Sequence, residues 1–273
     1  MNRVRRPAVA GIFYPAEPKK LQDEIDLLLS LSKSETKLSN LFGIVSPHAG
    51  YIYSGKTAAY GFSLLRNYDF KNVIVISPSH REYFPGISIY EGDAFETPLG
   101  IVPINSELVE KLVDGSKTIF KGTSGQKQEH AIEVQIPFLQ TVLKDFSIVP
   151  IVMGDQGRSF VDELAFKISE IIDDDTIIVA SSDLSHYHSK FEANHLDSIV
   201  EKRILDFDFD RLQYDLESRN CEACGGGPIV TMMKAAFLSK RRKSIVLNRS
   251  DSGDISGDNN EVVGYLSAAV YGD

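Results

Sequence analysis

The chain has 273 residues, of which 42% are hydrophobic and 25% are charged, and its formal net charge at pH 7 is −9. These values are typical of a globular protein, and the acidic balance argues against a general binder of nucleic-acid backbones, which needs a strong basic patch. No apolar run approaches the roughly 18 residues of a membrane span or forms a signal peptide, so with only two cysteines we expect a cytoplasmic protein without a membrane or nucleic-acid partner.

Hydrophobic periodicity and turn residues predict helices that alternate with strands. In the first half of the chain we predict an irregular but packed segment at Arg5–Pro15, a helix at Pro18–Ser30, a loop at Ser32–Ser39, a strand at Gly43–Ser46, a helix at Ser54–Arg66 capped by Ser54, a strand at Val73–Ile76, short strands at Gly86–Glu91 and Thr97–Pro103 that could form a hairpin, and a helix at Asn105–Asp114 capped by Asn105.

In the second half we predict a helix at Glu129–Leu143 kinked or divided by Pro137, a strand at Phe146–Met153 placed at an edge or bulge by Pro150, a helix at Phe160–Ile172, a strand at Thr176–Ser181, helices at Asn194–Phe207 and Gly227–Leu238, strands at Ser244–Arg249 and Glu261–Tyr271, and an exposed loop at Ser250–Asn260. The strand cores are near-continuous aliphatic runs, which favour burial on both faces. We therefore predict one α/β domain spanning residues 1–273, layered around a central, largely parallel or mixed sheet flanked by helices.

Three of the predicted strands are followed by a histidine: His48, His80 and His186. Ligands of open α/β sheets bind at the carboxyl ends of the strands, so we expect all three at the functional edge. Imidazole is the commonest metal ligand near neutral pH and also a proton shuttle. For any single histidine, a structural role such as capping a helix remains the alternative.

Cys221 and Cys224 have the spacing of a redox dithiol or of half a zinc ribbon, but two cysteines cannot build a four-cysteine zinc site. The segment Gly225–Pro228 predicts a tight turn into a helix, which would place Cys224 near a helix N-terminus where the dipole favours thiolate. Such a thiolate could ligate a metal or act as a nucleophile, and an ordinary buried cysteine is equally compatible with the pattern. Whether Cys221 takes part stays open. The three glycines could also hold a phosphate, although no P-loop lysine accompanies them.

Carboxylates lie close to these histidines along the chain. Asp183 precedes His186 by three residues and could orient an imidazole. Glu129 and Glu133 flank His130 in a predicted helix, where spacing could place them on one face. A solvated helix face is the alternative interpretation for this pair.

Taken together, several short segments resemble the Memo family: RRPAVAGIFYP, SPHAGYIYSG, SPSH, EHAIEVQIPFL, SSDLSH and CGGGPI. They begin at Arg5, and the closing strand EVVGYLSAAV also fits, so the resemblance covers essentially the whole chain. The family is similar in fold to class III extradiol dioxygenases, which bind Fe(II) through two histidines and a glutamate. The resemblance implies that His48 and His80 are metal ligands and that Cys224 stands at the carboxylate position.

The same resemblance implies catalytic roles for three further residues. His186 would be the acid/base histidine beside the metal, and Asp183 and His130 would be pocket residues. Tyr51 and Tyr53 would line a pocket for a small-molecule or peptide ligand, although packing at the rim explains them equally well. Prokaryotic relatives are often grouped with a radical-SAM protein and an AMMECR-type protein, which would be pathway partners.

A thiolate in place of a carboxylate softens the site, so Fe(II) is the first candidate for a mononuclear ion and Cu and Zn also fit. The leading hypothesis is a metal-binding, oxidoreductase-like protein, and whether it is an enzyme and on which substrate stays open. One alternative is a metal-free hydrolase or transferase with Cys224 as nucleophile and His186 or His80 as base. The other is a non-catalytic ligand-binding module on a dioxygenase-like fold.

Overall fold

The computed structural model describes residues 3–32 and 37–273, so residues 33–36 of the loop predicted at Ser32–Ser39 lie outside the described residues. The strands of the described residues are β1 Val4–Arg5, β2 Leu41–Ser46, β3 Asn72–Pro78, β4 Ile87–Tyr90, β5 Ala94–Thr97, β6 Gly100–Pro103, β7 Ile119–Gly122, β8 Ser147–Met153, β9 Thr176–Ser181, β10 His186–His188, β11 Lys243–Asp251 and β12 Val262–Tyr271. Their helices are α1 Pro18–Leu31, α2 Tyr51–Leu65, α3 Ser106–Val113, α4 Ile136–Val142, α5 Arg158–Ile171, α6 Lys190–Leu205, α7 Phe209–Glu217, α8 Gly226–Leu238 and α9 Gly253–Ser256.

A mixed sheet forms the centre of the molecule, with strand order β10-β12-β2-β9-β3-β8-β4-β7, and β11 also pairs with β12. Strands β2, β9, β3 and β8 run parallel, whereas β12 joins β2, and β4 joins β8, in antiparallel fashion. A smaller sheet contains β1, β5 and β6. The predicted α/β fold with a mixed central sheet flanked by helices is therefore confirmed.

Helices cover both faces of the central sheet. Along β3, Val73 and Val75 pack with the core that contains α1, α2 and α4, whereas Ile74 and Ile76 pack with the core of α3, α5 and α8. Side chains alternate across a strand, so a strand covered on both faces must be apolar at every position. This explains the continuous aliphatic runs. Within the described part of the chain, no helix is both long and apolar enough to cross a bilayer.

Several local predictions differ from the structure. Helix α2 begins at Tyr51 after Gly50, not at Ser54, whose hydroxyl instead donates to the Ala49 carbonyl. The hairpin is formed by β5 and β6, while β4 joins the central sheet. Pro150 lies inside the sheet and not at an edge. β4 pairs with β8 only from Ile151 onward, so a residue without an N–H is tolerated there.

Three further differences concern helices. Residues 129–132 are not helical, and a 3-10 turn at Glu133–Gln135 precedes α4, which carries Pro137 in its first turn. Helix α7 was not predicted at all. The predicted loop at Ser250–Asn260 contains the end of β11 and the short helix α9. The α7 segment does carry a local helix signal, because the Asp208 side chain accepts the Arg211 N–H as an N-cap.

Candidate metal centre

Adjacent strand ends bring the candidate site together. β9 lies between β2 and β3, which run parallel to it, so His48 after β2 and His80 after β3 flank the end of β9. The segment after β9 supplies Asp183, and the turn before α8 supplies Cys224. The side-chain donor atoms of His48, His80 and Cys224 all lie within 4.8 Å of one another. The three residues predicted as metal ligands are thus placed together by the fold.

Gly225 allows Cys224 to reach this position. A Cβ atom at Gly225 would lie 2.1 Å from the Ser181 carbonyl oxygen and would also overlap Ser182. Only a residue without a side chain can bring the turn this close to the end of β9. The glycine that directly follows the cysteine in the sequence is therefore required by the close packing of this turn against β9.

The His48 imidazole is held in one tautomer. Its Nδ1 lies 2.9 Å from the Ser181 hydroxyl, which donates its single proton to the Ala131 carbonyl at 2.7 Å. The hydroxyl can therefore only accept from His48, so Nδ1 carries the proton and Nε2 carries a lone pair. That Nε2 lies 3.1 Å from the Cys224 sulfur. His48 thus presents a free lone pair beside the thiol, as a metal ligand must.

His80 is fixed in the same way by Glu129. The Glu129 carboxylate accepts from the His80 backbone N–H at 2.7 Å and from Nδ1 at 2.9 Å. A carboxylate with these contacts can only accept, so Nδ1 carries a proton and Nε2 is the nitrogen left to meet a metal. The carboxylate also accepts from the backbone N–H groups of His130 and Ala131, both at 3.0 Å. Although burial opposes its ionisation, these bonds, led by the one from His80, hold the pKa of Glu129 at about 2.

Asp183 ties His48 to Cys224. Its carboxylate accepts the His48 backbone N–H at 2.7 Å, its own N–H points at the Cys224 sulfur at 3.3 Å, and its carbonyl accepts the Cys224 N–H at 3.2 Å. Burial raises the pKa of the Asp183 carboxyl, and the bond from His48 opposes this. The predicted catalytic residue Asp183 is therefore placed as a link between two candidate ligands.

The environment favours neutral forms of both His48 and Cys224. Burial, followed by the neighbouring imidazole of His80, lowers the pKa of His48 well below its usual value. Burial also raises the pKa of the Cys224 thiol, and the Asp183 charge adds to this. The expectation that the helix dipole makes Cys224 a thiolate is therefore wrong for the protein without a metal, because desolvation outweighs the dipole. A neutral imidazole is nonetheless the form that binds metals.

The helix N-terminus does not form a phosphate site. The Gly225 N–H donates to the Ser182 hydroxyl at 2.9 Å, and the Gly227 N–H donates to the Gln156 side chain at 2.7 Å. The Gly226 N–H donates to the Ala223 carbonyl. Since these donors already have partners, the structure contradicts the phosphate interpretation of the three glycines.

His130 lies beside the candidate ligands. Its ring centroid is 4.8 Å from that of His80 and 5.4 Å from that of His48. Burial, followed by the neighbouring imidazole of His48, lowers its pKa to about 4. Its Nδ1 lies 3.4 Å from Glu129 without hydrogen-bond geometry and has no hydrogen-bond partner among the described residues. His130 is thus a neutral neighbour of the centre, and its catalytic role stays a prediction.

His186 faces the site from a cleft of about 640 Å³ that Cys224 also lines. It is half-buried and begins β10, where it pairs with Val263 of β12. Leu184, Leu216 and the backbone of Gly226 form other parts of the wall. A volume of this size suits a small-molecule ligand. His186 can therefore meet a ligand that reaches Cys224 through the cleft.

Tyr51 does not fit its predicted ligand-binding role. It is 4% exposed, its hydroxyl donates to the Val134 carbonyl at 2.7 Å, and its ring packs 4.9 Å from that of Phe138. The first turn of α2 points it into the core because the helix starts earlier than predicted. Tyr53, in contrast, is 42% exposed, and its role stays a prediction.

Some residues of the site had no clear sequence signal. The side chain of Gln156, which follows β8, donates to the Cys224 carbonyl at 2.8 Å and accepts from the Gly227 N–H. These two hydrogen bonds hold the turn that contains Cys224. Ser181 sets the His48 tautomer from the last position of β9. Glu129 and Glu133 were noted, and the alternative interpretation of a solvated helix face is wrong, since both are at most 1% exposed. A polar residue three positions after the end of a buried strand is the signal that could have identified Gln156.

Comparisons with known proteins show a family likeness over almost the whole chain. Residues 5–269 match the family model described as Memo-like protein. The chain is 38% identical over 268 residues to a MEMO1 family protein of Thermoplasma volcanium, covering 97% of each chain. It is 39% identical to one of Thermotoga neapolitana over 280 residues, covering 98% of this chain and 99% of the relative. A solved structure of an uncharacterized protein from Escherichia coli K12 superposes with a TM-score of 0.54 at 15% identity, covering 84% of this chain and 99% of that one, which shows the fold alone.

Proposed function

Since the chain belongs to the Memo family, we propose that it binds a single transition-metal ion through His48, His80 and Cys224 and that its function is oxidoreductase-like. The observation that carries this proposal is the tautomer of the two histidines. Ser181 and Glu129 each hold an Nδ1 proton, which leaves the Nε2 position of both rings for a metal, in a group whose donor atoms lie within 4.8 Å of one another. Ordinary core histidines do not require this shared orientation.

The donor set fits a soft or borderline divalent ion. Two imidazoles and one thiolate suit Fe(II), Cu and Zn, with Fe(II) the first candidate. A bound Fe(II) or Cu ion would supply redox chemistry at this position, and Zn(II) would supply Lewis acidity. Glu129 places a negative charge behind His80, which raises the basicity of that ligand.

The remaining side chains have separate tasks. The Cys224 thiol gives up its proton when the sulfur becomes a ligand, because metals bind the thiolate. Asp183 fixes the distance between His48 and Cys224 through its three hydrogen bonds. In the cleft, His186 can hold or accept a proton from a bound ligand, which is the task of a general acid or base.

Metal analysis of protein purified without oxygen tests the proposal. After reconstitution with Fe(II) we expect one ion per chain, lost in His48→Ala and in Cys224→Ala. His195→Ala is the matched control, because His195 lies exposed on α6. Cys221→Ala tests the second cysteine, which we expect to be dispensable. Unchanged metal content in both ligand variants would refute the proposal.

A second candidate rests on the 3.1 Å contact between the Cys224 sulfur and His48 Nε2. A thiol paired with an imidazole can serve as a nucleophile, although the partner is His48 and not His186 or His80. Burial keeps both groups neutral, which disfavours the thiolate that this mechanism needs. Iodoacetamide labelling of metal-stripped protein across pH decides between the two. Rapid labelling of Cys224 near pH 7 would favour the hydrolase or transferase, and labelling only at high pH would favour the metal protein.

A further inference from the structure

The N-terminal segment is tied to the polypeptide around Glu129 by a buried arginine. Arg5 is 6% exposed and uses all three nitrogens of its guanidinium. Nε donates to the Gln126 carbonyl at 2.8 Å, one terminal nitrogen to the Glu133 carboxylate at 2.8 Å, and the other to the Glu129 carbonyl at 2.5 Å. Only a planar, multidentate cation can reach three acceptors in this way.

Glu133 completes the anchor. Its carboxylate is fully buried and accepts from four donors: Arg5 at 2.8 Å, the Ala8 N–H at 2.7 Å, the Val9 N–H at 2.9 Å and the Tyr14 hydroxyl at 2.7 Å. A buried ion pair tolerates little movement, because losing one partner leaves an uncompensated charge. Residues 5–14, which we call the N-terminal strap, are therefore held rigidly against residues 126–133.

The strap meets the candidate metal centre at two points. Arg5 binds the carbonyl of Glu129, whose carboxylate holds both the backbone and the ring of His80. Near the other end of the strap, the Phe13 ring lies 4.8 Å from His130, and the Phe13 carbonyl accepts the Tyr51 N–H at 2.8 Å. The strap thus supports the group that orients one ligand and packs on that ligand's neighbour.

We propose that Arg5, with Glu133, is a positioning residue for the metal centre: it fixes the Glu129 backbone and thereby the direction of His80 Nε2. The inference rests on the proposed function, since it concerns the affinity of that same site. Arg5 lies behind Glu129 and does not touch the candidate ligands. Its effect is transmitted through one carbonyl and one carboxylate.

Arg5→Lys tests this inference with the full-length protein. Lysine keeps the charge that neutralises Glu133 but loses the fork that reaches Gln126 and Glu129. We expect the affinity for Co(II), measured by competition with a chelator, to fall about tenfold, as for other residues that support a ligand. The visible absorption bands of the bound Co(II) should also change, because they report the geometry of the ligands.

Arg241→Lys is the matched control. Arg241 is also an ion-paired arginine, partly buried and 2.8 Å from Asp174, but Asp174 lies just before β9 at the opposite end of that strand. We expect the control to lower the thermal stability without changing the Co(II) affinity or spectrum. Unchanged Co(II) affinity in Arg5→Lys, or an equal loss in the control, would overturn the inference.

Two further measurements keep the test decisive. If Arg5→Lys does not fold, Tyr14→Phe removes one donor from Glu133, and we expect a smaller loss of Co(II) affinity in the same direction; no loss there would overturn the inference.

If wild-type protein binds no metal, the proposed function fails, and NMR of the metal-free protein then tests the inference. The proton shared by His80 Nδ1 and Glu129 should shift in Arg5→Lys and stay in place in Arg241→Lys, and an unchanged resonance in Arg5→Lys would overturn it.

Discussion

The two sides of the candidate metal centre are held by different kinds of contact. On the His80 side, a charged side chain holds the ligand in place, since the Glu129 carboxylate accepts hydrogen bonds from the ring and the backbone of His80. On the Cys224 side, the ligand is held mainly by its own backbone, through Asp183 and Gln156 and through the close approach of Gly225 to β9. The His80 side should therefore respond to changes of charge, and the Cys224 side to changes of shape.

The largest effect should come from Gly225→Ala. The new Cβ would meet the Ser181 carbonyl at 2.1 Å, a backbone atom that cannot move without displacing β9. We expect a loss of about 3 kcal/mol in the free energy of unfolding, at the upper end for overpacking, together with loss of metal binding. Chemical denaturation and metal analysis measure the two effects.

Gly50→Ala is the control for this variant, because its Cβ would lie 3.5 Å from the nearest atom, an ordinary contact, although it is also next to the site. We expect it to retain the metal. Equal losses of metal in Gly50→Ala and Gly225→Ala would mean that the close approach of Gly225 to β9 is not what holds Cys224 in position.

Glu129→Gln should give the next largest effect. The amide cannot supply the charge that Glu129 carries at neutral pH with its pKa near 2, so His80 loses both orientation and basicity. We expect the metal affinity to fall 10- to 100-fold, the range found for groups behind a ligand. Chelator competition measures it.

Glu163→Gln serves as the comparison for Glu129→Gln, since Glu163 also accepts two side-chain bonds, from Ser116 and Thr118, but lies outside the site. The metal affinity of Glu163→Gln should equal that of the wild-type protein. If Glu129→Gln binds the metal with wild-type affinity, the His80 side does not depend on charge, and the proposed difference from the Cys224 side is wrong.

The pH dependence of metal binding should come from the Cys224 side. Burial raises the thiol pKa, so the free protein carries a proton there at neutral pH, and burial lowers the His48 pKa, so His48 carries no excess proton. Binding then releases one proton, and the affinity should rise about tenfold per pH unit between pH 6 and 8. Calorimetry in buffers of different ionisation enthalpy counts the proton. Release of two protons would show that a histidine is also charged in the free protein.

His186→Ala should have the smallest effect on metal affinity. His186 lies outside the group of converging donor atoms and lines the cleft instead. We expect an affinity within about twofold of wild type, because no ligand and no hydrogen bond to a ligand is removed. A large loss of metal affinity would indicate that His186 is itself a metal ligand. The residues that bind the metal and the residue that contacts the substrate would then not be separate groups.

Much of this site could be predicted from short segments. His48, His80 and Cys224 each follow a local pattern, a buried strand or a glycine turn, and parallel strands place such positions at one edge. Tyr51 shows where a local pattern fails. It stands in the same segment as His48, but the helix starts three residues earlier than its capping pattern predicted, and this turns the ring into the core.

The sequence by itself determined the α/β class and most of the helices and strands, because periodicity is a local property, and the resemblance to the Memo family is what singled out His48, His80 and Cys224 as candidate donors. Only the tertiary structure decided which group lies behind each donor. Ser181 behind His48, Glu129 behind His80 and Arg5 behind Glu129 are partners across 49 to 133 residues of chain. The thiol's protonation state was decided there too, because desolvation depends on every element packed around it and not on the helix that follows it.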